Sequence, residues 1–130
     1  MTVARALAPA LLLALACAAC SASDDRLSME QAAQLTGGNP RLGPAKIRSY
    51  GCATCHTVPG VVGAHSQVGP PLTGIAGRMY IAGILTNTPA NLVEWIRDPQ
   101  KVDSLTAMPN TGVTERDARD IAAYLYTLDH

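Results

Sequence analysis

Cys52-Ala53-Thr54-Cys55-His56 is the stretch from which the rest of the chain is read. Thiols three residues apart on a helical turn can both reach the two vinyl groups along one edge of a haem. The residue that follows then brings its imidazole beneath the iron, and C-x-x-C-H is read as c-type haem attachment for this reason. Three other readings compete. A zinc site needs about four ligands, and the remaining cysteines, Cys17 and Cys20, fall in a segment read below as a targeting signal. A dithiol redox motif of the thioredoxin kind expects a βαβ context, which is missing. A disulfide between the two cysteines is open in an oxidising compartment, but it leaves His56 without a purpose. The haem reading uses all three residues.

Working outward, the composition fits a core built on a cofactor. The chain has 130 residues, 48% of them hydrophobic, yet only 4% are aromatic and none is Phe. Rings normally supply much of the buried area of a core, and a short chain without them has little to set against its ordering entropy. A large apolar cofactor would make up the difference. Ten basic and ten acidic residues balance, and loss of Arg5 with a targeting segment leaves the remainder one unit negative. Nucleic acid is excluded as a partner class, because phosphate binding needs a clustered Lys/Arg surface and no such stripe is present.

Toward the N-terminus, Arg5 precedes an apolar run from Leu7 to Ala19. That run is short for a membrane span and suits the core of a signal peptide. Its end, Leu13-Ala14-Leu15-Ala16-Cys17-Ala18-Ala19-Cys20, resembles a bacterial lipoprotein cleavage site, with Cys17 or Cys20 as the lipidated residue. Leu15 before Cys17, and Cys17 before Cys20, depart from that pattern; ordinary cleavage near Ala22 without a lipid is the plainer reading. The expectation is an exported chain on the periplasmic side of a bacterial membrane, held there by a lipid. Residues 1–23 are then targeting segment and tether, 24–40 a short helix and linker, and 41–130 the folded domain.

The remaining pattern is all-α. Ser28 and Gln31 form a capping box for a helix through Leu35, stopped by Gly37 and Gly38. A second helix runs from Pro44 through Tyr50 into the cysteine motif. Pro59, Gly60, Gly63, Gly69, Pro70, Pro71, Gly74, Gly77 and Gly83 make residues 57–87 a loop, with one helical turn near Ile75. A loop so long needs an organiser, and wrapping a cofactor is one. Thr88-Pro89 starts a helix that Asp98-Pro99 ends, and a polar loop with Met108-Pro109 follows. Thr114 caps the last helix, whose buried stripe is Ala118, Ile121, Ala122, Leu125 and Leu128. No strand-like alternation appears.

Taken together, these residues resemble the class I c-type cytochromes over about residues 40 to 128. Gly43 and Ile47 match the first-helix positions that meet the last helix in that family, and Ile121-Ala122-Ala123-Tyr124-Leu125 matches the segment they meet. Gly69-Pro70-Pro71-Leu72-Thr73-Gly74-Ile75-Ala76-Gly77-Arg78 is similar to the segment after the haem-binding histidine. The resemblance implies that Pro70 offers its carbonyl to the ring of His56 and that Arg78 approaches a haem propionate. Leu92 to Pro99 resembles the helix before the distal ligand, with Trp95 where a tyrosine is common. Met108, nine residues beyond Pro99, has the spacing of the axial methionine. The loop from His56 to Pro70 is longer than in mitochondrial members, and their lysine-rich docking ring is absent.

The resemblance thus implies one covalent haem c on Cys52 and Cys55, with His56 and Met108 as iron ligands. Met79 and His65 are the rivals of Met108: the first reads as an apolar wall residue, the second as a solvent-facing loop histidine. His130 reads as a solvated tail. Val61, Val62, Leu72 and Ile75 are expected to keep water from the iron. The implied role is one-electron transport in a respiratory chain by a monomer, with no enzyme activity. A haem subunit of a terminal oxidase is the alternative, and a ligand-binding or peroxidase-type haem protein a further one; a two-haem peroxidase is excluded by the single C-x-x-C-H.

Overall fold

Local capping explains where each helix begins. In the computed structural model, which describes residues 27–129, helix α1 (Met29–Thr36) opens on the expected capping box. Ser28 Oγ accepts from the Gln31 N–H at 3.2 Å, and Gln31 Oε1 accepts from the Ser28 N–H at 2.9 Å. Helix α2 (Gly43–Ser49) carries Pro44 in its first turn. It does not run on into the cysteines: Gly51 takes φ 77°, a left-handed conformation, and starts a separate 3₁₀ turn, Cys52–Thr54. Thr88 Oγ1 accepts from the Asn91 N–H at 3.2 Å to begin helix α3 (Pro89–Arg97). Asp98 ends α3 and caps a further helix, α4 (Pro99–Val102), where the sequence suggests loop. Thr114 caps helix α5 (Glu115–Leu125) through the Asp117 N–H at 3.2 Å. The targeting segment with Cys17 and Cys20, the tether and His130 lie outside the described residues.

Helix α5 is the hub, packing on α1, α2 and α3. Its apolar stripe matches the expected one: Ala118, Ile121, Ala122 and Leu125 are buried, and Leu128 half-buried. Gly43 of α2 is buried directly against Tyr124, where a Cβ would collide with the Tyr124 Cβ. Ile47, Leu92 and Ile121 are among the largest fully buried side chains, and burying each stabilises the fold by about 1.5–3 kcal/mol. Helix α1 is tied to the same hub: Arg119 Nη1 donates to the Thr36 carbonyl at 3.0 Å, and Asp120 Oδ1 accepts from the Asn39 N–H at 2.6 Å.

The long loop has its own organisation. Val58, Val61 and Ala64 are buried, the Val58 N–H donates to the Ala64 carbonyl at 3.0 Å, and Thr57 bridges His65. Tyr124 Oη donates to the Pro59 carbonyl at 2.6 Å, fastening this loop to α5. A 3₁₀ turn follows at Ile75–Gly77, near the turn expected at Ile75. Two strands, β1 (Tyr80–Ile81) and β2 (Leu85–Thr86), then pair antiparallel, Tyr80 opposite Thr86 and Ile81 opposite Leu85. Strands of two residues are too short to show alternation, so the sequence carries no sign of this ribbon. The fold is otherwise helical. No helix among the described residues is long and apolar enough to cross a membrane.

Candidate functional site

The cysteine motif, the loop behind it, α3, the Met108 loop and α5 enclose a cavity of about 580 Å³. That is the size of a cofactor site. Cys52, Cys55 and His56 line it, and so do Pro70, Arg78, Trp95 and Met108. The structure therefore brings these seven candidate haem-site residues of the sequence to one place. Ile47, Leu72, Ile75, Leu92, Ile96 and Ile121 supply much of the apolar wall. Among the described residues, Arg78 is the one charged side chain in the lining.

His56 is held in a defined tautomer. Its Nδ1 lies 2.7 Å from the Pro70 carbonyl oxygen. A carbonyl can only accept, so Nδ1 carries a proton, and Nε2 is the nitrogen left to serve as a metal ligand. Gly69 makes this possible, because a Cβ there would stand 2.6 Å from His56 Cε1. The Gly69 N–H donates to the Cys55 carbonyl at 2.7 Å, locking the two segments together.

Cys52 and Cys55 carry free, half-buried thiols on the turn that opens at Gly51. Burial pushes the Cys52 thiol up from its ordinary value, and the neighbouring Cys55 adds to the rise. Dithiol oxidoreductases depend on the opposite shift. A thiol pair beside a metal-competent imidazole and a thioether, walled by aliphatic side chains, fits an apolar metalloporphyrin. Among the described residues, no cluster of His, Cys, Asp and Glu could hold a metal ion on its own.

Arg78 is braced by the backbone: Nη2 donates to the Pro71 carbonyl at 2.6 Å and to the Thr73 carbonyl at 3.0 Å. Its remaining guanidinium donors are left for an anion. Met108 is held through its main chain, its carbonyl accepting from Gln100 Nε2 at 2.8 Å and its N–H donating to Thr106 Oγ1 at 3.2 Å. Met79 is 77% exposed and outside the lining, as is the exposed His65. One expectation fails. Val62 is 80% exposed, and Val61, although buried, does not line the cavity; Leu72 and Ile75 do.

Sequence reasoning misses the supports. Gln100 falls in a stretch that reads as loop, and only the Asp98-Pro99 cap signal points to the helix that carries it. Tyr50, which lines the cavity, donates through Oη to Asp117 Oδ2 at 2.6 Å, and Lys46 Nζ pairs with Asp117 Oδ1 at 2.8 Å. No local pattern signals a bond between residues so far apart in the chain.

The family model described as "Cytochrome c" matches residues 41–129. The chain belongs to the cytochrome c family. Membership of this family implies a covalently bound haem c, one per chain in single-haem members. Cytochrome c oxidase subunit 2 of Alkalihalophilus pseudofirmus is 40% identical over 78 residues, covering 59% of this cytochrome and 22% of that relative. The match thus spans about a fifth of the relative's length. No solved structure matches.

Proposed function

We propose that this cytochrome is an exported one-electron carrier of a respiratory chain, with His56 and Met108 as the iron ligands and Cys52 and Cys55 as the attachment points. The observation that carries this reading is that His56, its Nδ1 bonded to the Pro70 carbonyl, and Met108 line one apolar cavity together with both cysteines. When bound, the haem supplies a reversible Fe(III)/Fe(II) couple. His56 and Met108 would both hold the iron, which would leave no ligand site for a substrate and supports transport rather than catalysis. The soft thioether of Met108 favours the reduced state and raises the potential. Pro70 fixes the ring of His56 and raises its basicity. Arg78 offers its free donors to a haem carboxylate, and Trp95 closes the wall. On the sequence reading, the chain works on the periplasmic side of a bacterial membrane, tethered through a lipid on Cys17 or Cys20.

Likeness to an oxidase subunit 2 supports a second reading, in which this cytochrome is a haem subunit of a terminal oxidase complex. Gentle solubilisation separates the two: a free carrier is recovered alone, whereas a subunit comes with a large membrane complex. The deciding test of the carrier chemistry is carbon monoxide. Ferrous native protein at neutral pH should bind it slowly or not at all, and the Met108→Ala variant rapidly. Rapid binding by the native protein would overturn the carrier reading in favour of a ligand-binding or peroxidase-type protein.

A further inference from the structure

Asn87, just past β2, commits every polar atom of its side chain to one junction. Its Nδ2 donates to the Ile75 carbonyl at 2.8 Å and to the Arg78 carbonyl at 2.9 Å, while Oδ1 accepts from Tyr126 Oη at 2.8 Å. Its backbone N–H donates to the Met79 carbonyl at 2.9 Å. The orientation of the carboxamide is forced. Carbonyls only accept, so the nitrogen must face Ile75 and Arg78, and the oxygen must face a donor. Tyr126 is that donor, 5% exposed at the end of α5. Burial raises its phenol to about 12, so the proton stays in place throughout the neutral range.

The junction bears on the charge in the cavity wall. Ile75 and Arg78 both line the cavity, and Asn87 holds their carbonyls three residues apart on the turn from which the Arg78 side chain springs. We propose that Asn87, oriented by Tyr126, is a positioning residue for Arg78, fixing the distance of the guanidinium from the haem carboxylates and so helping to set the reduction potential. Without the Tyr126 hydroxyl, Asn87 Oδ1 loses the donor that anchors it. The carboxamide is then held from its Nδ2 side alone, and the turn loosens. A second support persists, since the Ala76 N–H donates to the Leu128 carbonyl at 3.0 Å. The loss of the clamp therefore relaxes Arg78 without unfolding the turn.

This inference rests on the reading of Arg78 given above, and the test separates the two. The midpoint potential of the full haem-loaded protein is measured for Tyr126→Phe, Arg78→Gln and the double variant, with Asn87→Ala as a second way to break the clamp. Arg78→Gln should lower the potential, because a positive charge that opposes Fe(III) is removed. Tyr126→Phe and Asn87→Ala should each lower it by part of that amount, and Tyr126→Phe should add nothing in the Arg78→Gln background. Amide exchange at residues 76–79 should quicken in Tyr126→Phe. An equal shift from Tyr126→Phe in both backgrounds, or no shift from either clamp variant while Arg78→Gln lowers the potential, would refute the positioning role alone. No shift from Arg78→Gln would remove the Arg78 reading and the clamp's purpose with it.

Discussion

Gly69 sits so close to His56 that a Cβ built on it would stand 2.6 Å from Cε1 and 2.9 Å from Nδ1 of the imidazole. The backbone at this position is not left-handed, so the glycine answers to space and not to φ. A methyl group here must push the ring aside, and the ring cannot move without losing the Nδ1 contact to Pro70. Gly69→Ala is therefore expected to keep its covalent haem but misplace the His56 ligand. Overpacking of this sort costs about 1–3 kcal/mol. The check is the visible spectrum and the potential of the variant, alongside its denaturation midpoint; an unchanged potential would mean that the ring is not under this constraint.

Much of the fold is legible in the sequence because helix starts are local chemistry. Ser28 with Gln31, Thr88 with Pro89, and Thr114 with Asp117 each place a hydroxyl where the first orphan N–H groups need an acceptor, and each sets a helix within a residue of its expected start. The site is legible for a related reason, since two thiols and an imidazole within five consecutive residues leave little choice of chemistry. What stays hidden depends on distance in sequence. Tyr124 reaches Pro59 across 65 residues, and Tyr126 reaches Asn87 across 39, with no periodicity to betray either. Val61 and Val62 show the same limit: loops have no period, so nothing in sequence says which of two adjacent valines turns inward.

The hold on Met108 is a main-chain one and can be tested apart from the ligand itself. Gln100→Ala removes the donor to the Met108 carbonyl while leaving the thioether intact. The Met108 loop should then open more often, so that carbon monoxide enters the ferrous variant several-fold faster than the native protein, though more slowly than Met108→Ala. Loss of one such bond costs about 0.5–1.5 kcal/mol, which is about 2- to 13-fold in an opening equilibrium. Stopped-flow mixing measures it directly. A native-like rate in Gln100→Ala would show that the loop is held elsewhere.

Where α2 crosses α5, Gly43 leaves no room for any side chain: a methyl group there would meet the Tyr124 Cβ and stand 3.0 Å from the Asp120 carbonyl oxygen. Both obstacles belong to the rigid part of α5, so neither can swing aside. Gly43→Ala should force the helices apart and destabilise the protein by about 1–3 kcal/mol, against a small gain in helix propensity of about 1 kcal/mol. Chemical denaturation measures the balance. A variant more stable than the native protein would show that the crossing can widen freely.

Acid should weaken the same crossing by another route. Lys46 hydrogen-bonds to Asp117, and the Tyr50 hydroxyl adds a second bond; together they hold the Asp117 carboxyl below its ordinary value of 3.8. A group depressed on folding contributes its stability above the unfolded pKa and loses it as pH falls through the folded one. The Asp117 contribution is therefore full at neutral pH, begins to fade as pH approaches about 4, and is gone once the folded pKa is passed. Lys46 behaves in the opposite sense, its pKa raised above 10.5 chiefly by the hydrogen bond to Asp117, so its share fades only at strongly alkaline pH. The pair is partly exposed, and salt should shrink the effect. Asp117→Asn is expected to flatten the acid limb of the stability profile while leaving neutral spectra unchanged, because Tyr50 loses a charged acceptor but keeps its place in the cavity wall. If the native protein and Asp117→Asn lost stability in parallel below pH 4, the carboxylate would not be the group that acid acts on.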